Sequence, residues 1–145
     1  MGNRAVVVLE SAPKVGIYLH WNGGPESVLA FLQATKDRGA RSPGSDPSYC
    51  LARLVQTITE FFSSDGTYDS SVGVGVLEDL GEKDDGNGVY YVGDDWEITR
   101  RKHTHDLTRT VGQLAERDLA KYHNIVGGIA EATAHHRDRV GKEVS

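Results

Sequence analysis

Only one cysteine, Cys50, stands among the 145 residues, so no intrachain disulfide can form. The chain must hold itself together through one hydrophobic core, and a reducing cytoplasm is its expected home. Long hydrophobic runs are missing too: no segment approaches the roughly 18 apolar residues of a membrane-spanning helix. The opening MGNRAVVVLESAPK lacks the apolar core of a signal peptide. It begins like a myristoylation site, but Val6 stands where Ser or Thr is required, so no membrane anchor is expected. Positive charge is short as well. The net charge of −5 and a pI near 5.6 argue against non-specific binding to duplex nucleic acid. A small anionic ligand stays open, because a few local arginines can outweigh a global charge.

Catalytic signatures are equally scarce. There is no G-x-S-x-G, no P-loop and no paired Cys or His set with zinc spacing. Cys50 falls in the apolar arc of a predicted helix, which suits an inert buried thiol. His103 with His105, and His135 with His136, come nearest to metal ligands. Neither pair has a carboxylate or thiol partner at useful spacing. Asp79, Asp84 and Asp85 lack the order of a calcium loop. No enzyme, metal or cofactor is expected, and a binding module fits better.

What is present is a set of clear local patterns. Residues 5–9, AVVVL, read as a strand buried on both faces. Val15, Ile17 and Leu19 alternate with Gly16, Tyr18 and His20, a second strand with one buried face. Trp21 ends it, Asn22-Gly23-Gly24 turns, and Pro25 opens a helix carrying Val28, Leu29, Phe31 and Leu32. That turn sets His20, Trp21 and free backbone N–H groups at a helix N-terminus, a place suited to an anion or a phosphate-bearing ligand. Gly39 supplies the stop. Asp46 and Pro47 then start a second helix to about Phe62, with Cys50, Leu51, Leu54, Val55, Ile58, Phe61 and Phe62 on one arc. Tyr49, Arg53, Gln56 and Glu60 form a separate polar stripe, either a solvated face or the edge of a cleft.

Val72-Gly73-Val74-Gly75-Val76 alternates strictly, leaving one smooth strand face for close packing or a flat ligand. Residues 77–88 read as an acidic hairpin connection ending in Asn87-Gly88. Val89–Val92 and residues 96–100 read as two more strands, turning at Gly93-Asp94-Asp95. Arg100, Arg101 and Lys102 are the only dense basic cluster. From Asp106, a helix cap, the pattern turns helical with Leu107, Val111 and Leu114 on one face. Ala115, Leu119, Tyr122, Val126, Ile129 and Thr133 continue as a narrow seam, interrupted by Gly127-Gly128. The tail from Ala134 is polar and expected to fray. Tyr18, Trp21, Tyr49, Tyr90, Tyr91 and Trp96 fall at strand ends or helix faces. With Arg53, Arg100, Arg101 and Arg109 they could stack on bases and hold phosphates.

Taken together, GIYLHWNGGPESVLAFL, the helix with Ala52-Arg53-Leu54, the Val-Gly-Val-Gly-Val strand and Asn87-Gly88-Val89-Tyr90 resemble the first type of phage Thoeris anti-defence protein. The resemblance covers about residues 3–100, and HWNGG is its best motif. That family sequesters cyclic ADP-ribose isomers made by TIR-domain immune enzymes without cleaving them, and some members bind cyclic oligonucleotides. The resemblance thus implies a phage-encoded sponge for a cyclic nucleotide signal, acting in the host cytoplasm. In the family an aromatic residue ahead of the Asn-Gly turn and the turn asparagine line the pocket. Asn87 matches the asparagine, and the aromatic position falls on Leu77. The alternative is a phage inhibitor or accessory protein that binds a host protein directly.

The expected fold is α+β, an antiparallel sheet of about five strands covered by two helices, plus a C-terminal helical extension. Residues 1–104 would form the ligand-binding core, and residues 105–145 the extension. Its apolar seam predicts a homo-oligomer, at least a dimer. The expected ligand-binding residues are Arg53 for phosphate, Asn87 for a ribose or base edge, and Tyr49 beside Arg53. Leu77, His20, Trp21, Arg100 and Arg109 complete the set.

Overall fold

The computed structural model describes residues 3–63, 71–80, 86–102 and 104–144. Among them, five strands form one sheet in the order β3-β2-β1-β4-β5. They are β1 (Ala5–Leu9), β2 (Val15–Leu19), β3 (Val72–Val76), β4 (Val89–Val92) and β5 (Ile98–Lys102). Helices α1 (Pro25–Asp37), α2 (Pro47–Phe62) and α4 (Glu116–Val144) form a layer on one face, and the short α3 (Leu77–Leu80) lies on the other. The architecture is α+β, as the alternating and helical periodicities require.

The sheet is mixed, which corrects the antiparallel expectation. β1 pairs antiparallel with β2 but parallel with β4, with Val6 beside Val89 and Leu9 beside Val92. The reason lies in β1's two edges. β2 takes one edge through a short connection and β3 adds outside β2, so the next strand must cross to the edge still open. Residues 77–88 are therefore a crossover and not a hairpin, long enough to bring β4 in parallel. Residues 81–85 of that expected acidic turn lie outside the described ones.

β1 is buried throughout because both its faces are covered. Ala5, Val7 and Leu9 meet Ile17, Leu19, Tyr90, Val92 and the helices, while Val6 and Val8 meet Val89 and Tyr91 on the far face. There Gly73 and Gly75 present the smooth face that the alternation predicted. Leu80 fills it: a Cβ added at Gly16, paired with Gly75, would lie 3.0 Å from Leu80 and 2.8 Å from Val6. Close packing within the chain requires Gly16, whereas a Cβ at Gly73 or Gly75 would meet Tyr18 at 3.8 Å or Leu80 at 3.5 Å, both ordinary contacts.

α1 starts and stops where its punctuation says. Pro25 takes the first turn, and Gly39 closes the helix at φ +88, its N–H bonded to the Lys36 carbonyl while that of Ala40 reaches Thr35. In the preceding turn only Asn22 has positive φ; Gly23 is needed for close approach, since a Cβ there would meet the Asn3 carbonyl at 2.5 Å. α2 is capped by Asp46, whose side chain accepts from the Tyr49 N–H at 3.2 Å.

The C-terminal part differs from expectation in three ways. Asp106 caps no helix; it accepts from the Thr108 N–H and pairs with Arg101 at 3.3 Å, and a 3₁₀ turn (Val111–Gln113) precedes α4. α4 then runs unbroken through Gly127 and Gly128, both facing open space, and on through the polar tail. Finally, Tyr122, Ile125 and Ile129 join the main core against α1, while Leu119, Val126 and Thr133 are partly buried and Ala115 is exposed.

Candidate functional site

The three helices leave a cleft of about 420 Å³ between them. α2 contributes the predicted polar stripe, Tyr49, Arg53, Gln56 and Glu60, all four exposed and lining one edge of this cleft. α4 presents Thr133, His136 and Arg137, which share a side at three- and four-residue spacing. The last turn of α1 supplies Arg38 at the base.

Arg38 ties the three helices together. Its side chain, 18% exposed, reaches Glu60 Oε2 at 2.6 Å and donates to Thr133 Oγ1 at 2.8 Å and to Thr57 Oγ1 at 3.4 Å. A charge-assisted contact in this half-buried place is stronger than a surface pair, and it orients both helices around the cleft. Arg53 lies over the Tyr49 ring with its guanidinium carbon 5.0 Å from the centroid, and Arg41 approaches the same ring at 5.0 Å. The lining thus holds three arginines, Arg38, Arg53 and Arg137, against one carboxylate, Glu60. On a chain of net charge −5 this is a local reversal of sign. An aromatic ring between guanidinium groups, with hydroxyls at Thr57 and Thr133, can hold an anionic group and stack a planar one.

The other expected site residues lie elsewhere. Asn87 joins β4 to the N-terminal strand: its N–H and side-chain amide both donate to the Arg4 carbonyl, at 2.8 and 3.1 Å, and the amide also meets Asn3. Arg101 donates to the Asn87 carbonyl at 3.0 Å, so this asparagine is engaged structurally. Leu77 packs on the far face of the sheet with Val6 and Val8. Arg100 covers Tyr91 on that face at 3.9 Å, whereas Arg101 covers Tyr90 on the helical face at 4.5 Å. Strand alternation therefore splits the basic cluster between two faces. Arg109 donates to the Thr99 carbonyl at 2.7 Å, beside β5. His20 and Trp21 follow β2, and Trp21 lines a separate pocket beside α4. Only Tyr49 and Arg53 of the expected set share the cleft.

Three expected stacking aromatics prove to be core residues, Tyr91 on the far face with Val6, Val8 and Val89. Trp96 takes positive φ in the β4–β5 turn and is buried, its indole N–H bonded to the Arg41 carbonyl at 3.0 Å. The bulge at Tyr91/Val92 and this turn start β5 at Ile98, two residues later than its alternation suggested. Tyr90 is fully buried, and its hydroxyl donates to the Gly23 carbonyl at 2.8 Å. Burial pushes its phenol well above the ordinary tyrosine range, with Arg101 opposing and Asp106 and Glu26 adding to the rise.

Arg38 and Arg137 are the cleft residues that sequence reasoning missed. The spacing of Thr133, His136 and Arg137 on α4 was available as a signal. Arg38 carried none, since a basic residue at a helix end has an ordinary capping explanation.

The fold and cleft define a small α+β protein with an arginine-rich cleft within its helical layer. No family model, curated protein or solved structure matches the chain, so its function rests on this geometry and on the motifs of the sequence.

Proposed function

We propose that this protein is a binding module that takes a small phosphate-bearing nucleotide into the cleft between α1, α2 and α4 and holds it unchanged. The arginine excess around the Tyr49 ring carries this reading, because it sets cations and a stacking face together on an acidic chain. With the resemblance to phage anti-defence proteins, the ligand is a cyclic nucleotide immune signal, a cyclic ADP-ribose isomer or a cyclic oligonucleotide, and sequestration in the host cytoplasm is the function. Arg53 and Arg137 hold phosphate, Tyr49 stacks, and Arg38 positions the walls.

Thermal denaturation with these nucleotides tests the reading. A ligand at about a hundred times its dissociation constant stabilises the fold by about 2.7 kcal/mol. Arg53→Ala should weaken binding about 10- to 100-fold, the loss of one charge-assisted contact, while the unliganded melting temperature stays nearly constant. A native protein whose melting temperature ignores all of these nucleotides sinks the proposal. The direct host-protein inhibitor then becomes the better reading, and it has one observation of its own. Val74 and Val76 on β3 are 53% and 52% exposed, an apolar strip at the edge of the sheet that the described strands form.

A further inference from the structure

The turn between β2 and α1 was expected to suit a phosphate. Its geometry argues otherwise. Glu26, in the first turn of α1, is 7% exposed and lines a pocket of about 340 Å³ between the turn and α4. Its carboxylate folds back over Gly24, where an added Cβ would lie 2.6 Å from Oε2. The helix N-terminus thus already faces a negative charge of its own. Among the described residues that carboxylate makes no hydrogen bond and no ion pair. The side chain is buried but its oxygens open onto the pocket, where donors from something that enters can satisfy them.

The opposite wall is Trp21, 46% exposed yet held in place. Its indole meets the His20 ring edge-on at 5.0 Å, and His20 Nδ1 lies 2.9 Å from the Tyr18 hydroxyl. Asn22, at positive φ, is fixed by its side-chain amide donating to Ser27 Oγ at 3.2 Å. Asn124 and Lys121 of α4 close the far side. The pocket therefore combines a rigid apolar plate, a buried acceptor and several amide or ammonium donors. Glu26 repels phosphate and Lys121 repels a bare cation, so the fitting ligand is neutral, flat on one face and rich in hydroxyls.

We propose that this pocket binds a sugar ring, a pyranose or the ribose of a nucleoside, stacked on Trp21 with two neighbouring hydroxyls donating to Glu26. A carboxylate accepts from a vicinal diol through both oxygens, as acidic residues do with ribose in dinucleotide sites. Trp21 then covers the C–H face of the ring, and Asn22 and Asn124 reach the remaining hydroxyls. The site is separate from the arginine-lined cleft and does not depend on it.

The indole N–H resonances offer a direct readout, because Trp21 is exposed and Trp96 is buried. The whole protein is titrated with methyl α-D-glucopyranoside, cellobiose, adenosine and 2′-deoxyadenosine, to about 50 mM or the solubility limit, a range that covers millimolar affinities. A saturable shift of the Trp21 indole resonance with a pyranoside or with adenosine is expected, at least tenfold weaker in Glu26→Gln; in Trp21→Ala, which lacks that resonance, the Asn22 and Asn124 side-chain amide resonances should report the same tenfold loss. Adenosine binding that weakens for the 2′-deoxy compound assigns the ligand to ribose; pyranoside binding assigns it to a saccharide. Arg53→Ala should leave every titration unchanged, so failure of the nucleotide cleft and failure of this pocket are distinguishable. The proposal is overturned if no probe gives saturation, if Glu26→Gln binds like the native chain, or if Arg53→Ala abolishes the response. Should Glu26→Gln not fold, the exposed Trp21→Ala decides in its place.

Discussion

α1 and α4 pack against each other and are built on opposite plans. α1 is 13 residues long and buries ten, among them the polar Glu26, Ser27 and Thr35. α4 runs for 29 residues, and its buried side chains are Tyr122, Ile125 and Ile129 along one stripe. α1 is enclosed by the sheet, α2 and α4, whereas α4 touches its neighbours on one side only. Burial of a polar residue in α1 therefore demands a local answer: Thr35 donates to the Phe31 carbonyl at 2.7 Å, Ser27 accepts from the Asn22 amide at 3.2 Å, and Glu26 is left to the pocket it lines. α4 needs no such answers, so its polar residues are free to line the cleft.

This contrast can be broken most directly at Phe31, which is buried and meets Phe61 edge-on at 5.3 Å. Phe31→Ala should cost about 4 kcal/mol by urea denaturation, and Ile129→Ala about 2 kcal/mol, because a one-sided contact relaxes more easily than an enclosed one. Equal costs would show that α4 belongs to the core as fully as α1.

The entrance to α1 sharpens the comparison. Tyr90→Phe leaves the Gly23 carbonyl without its donor and should cost about 1–2 kcal/mol. Since the folded phenol holds its proton more tightly than an unfolded one, this tyrosine stabilises the fold fully below about pH 10 and ever less as pH rises beyond it. Alkaline denaturation of the Phe variant should lack that component of the slope. An unchanged slope would mean that Tyr90 ionises in the fold as freely as in the open chain.

The smallest effect has the opposite sign. Gly127 and Gly128 lie in α4 with nothing within 4 Å of an added Cβ, so Gly127→Ala and Gly128→Ala should each stabilise by about 0.5–1 kcal/mol. A loss of stability in either variant would place a contact there that the isolated chain does not make.

Local signals were legible in the sequence and carried much of the fold. A short apolar run placed β1 and alternation β2, Pro25 and Gly39 bounded α1, and Asp46-Pro47 opened α2, because each depends on a few adjacent residues and their backbone preferences. Tyr49 and Arg53 were legible as a stripe for the same reason. What the tertiary structure alone decided was pairing across distance. β4 joins β1 in parallel because that edge stays open; Trp96 turns inward at positive φ because the Arg41 carbonyl and the core receive it. Asp106 serves Arg101 instead of a helix, and Arg38 meets Glu60 and Thr133 from three separate helices. Periodicity records which face of an element is apolar, whereas these choices depend on which partner the rest of the chain brings within reach.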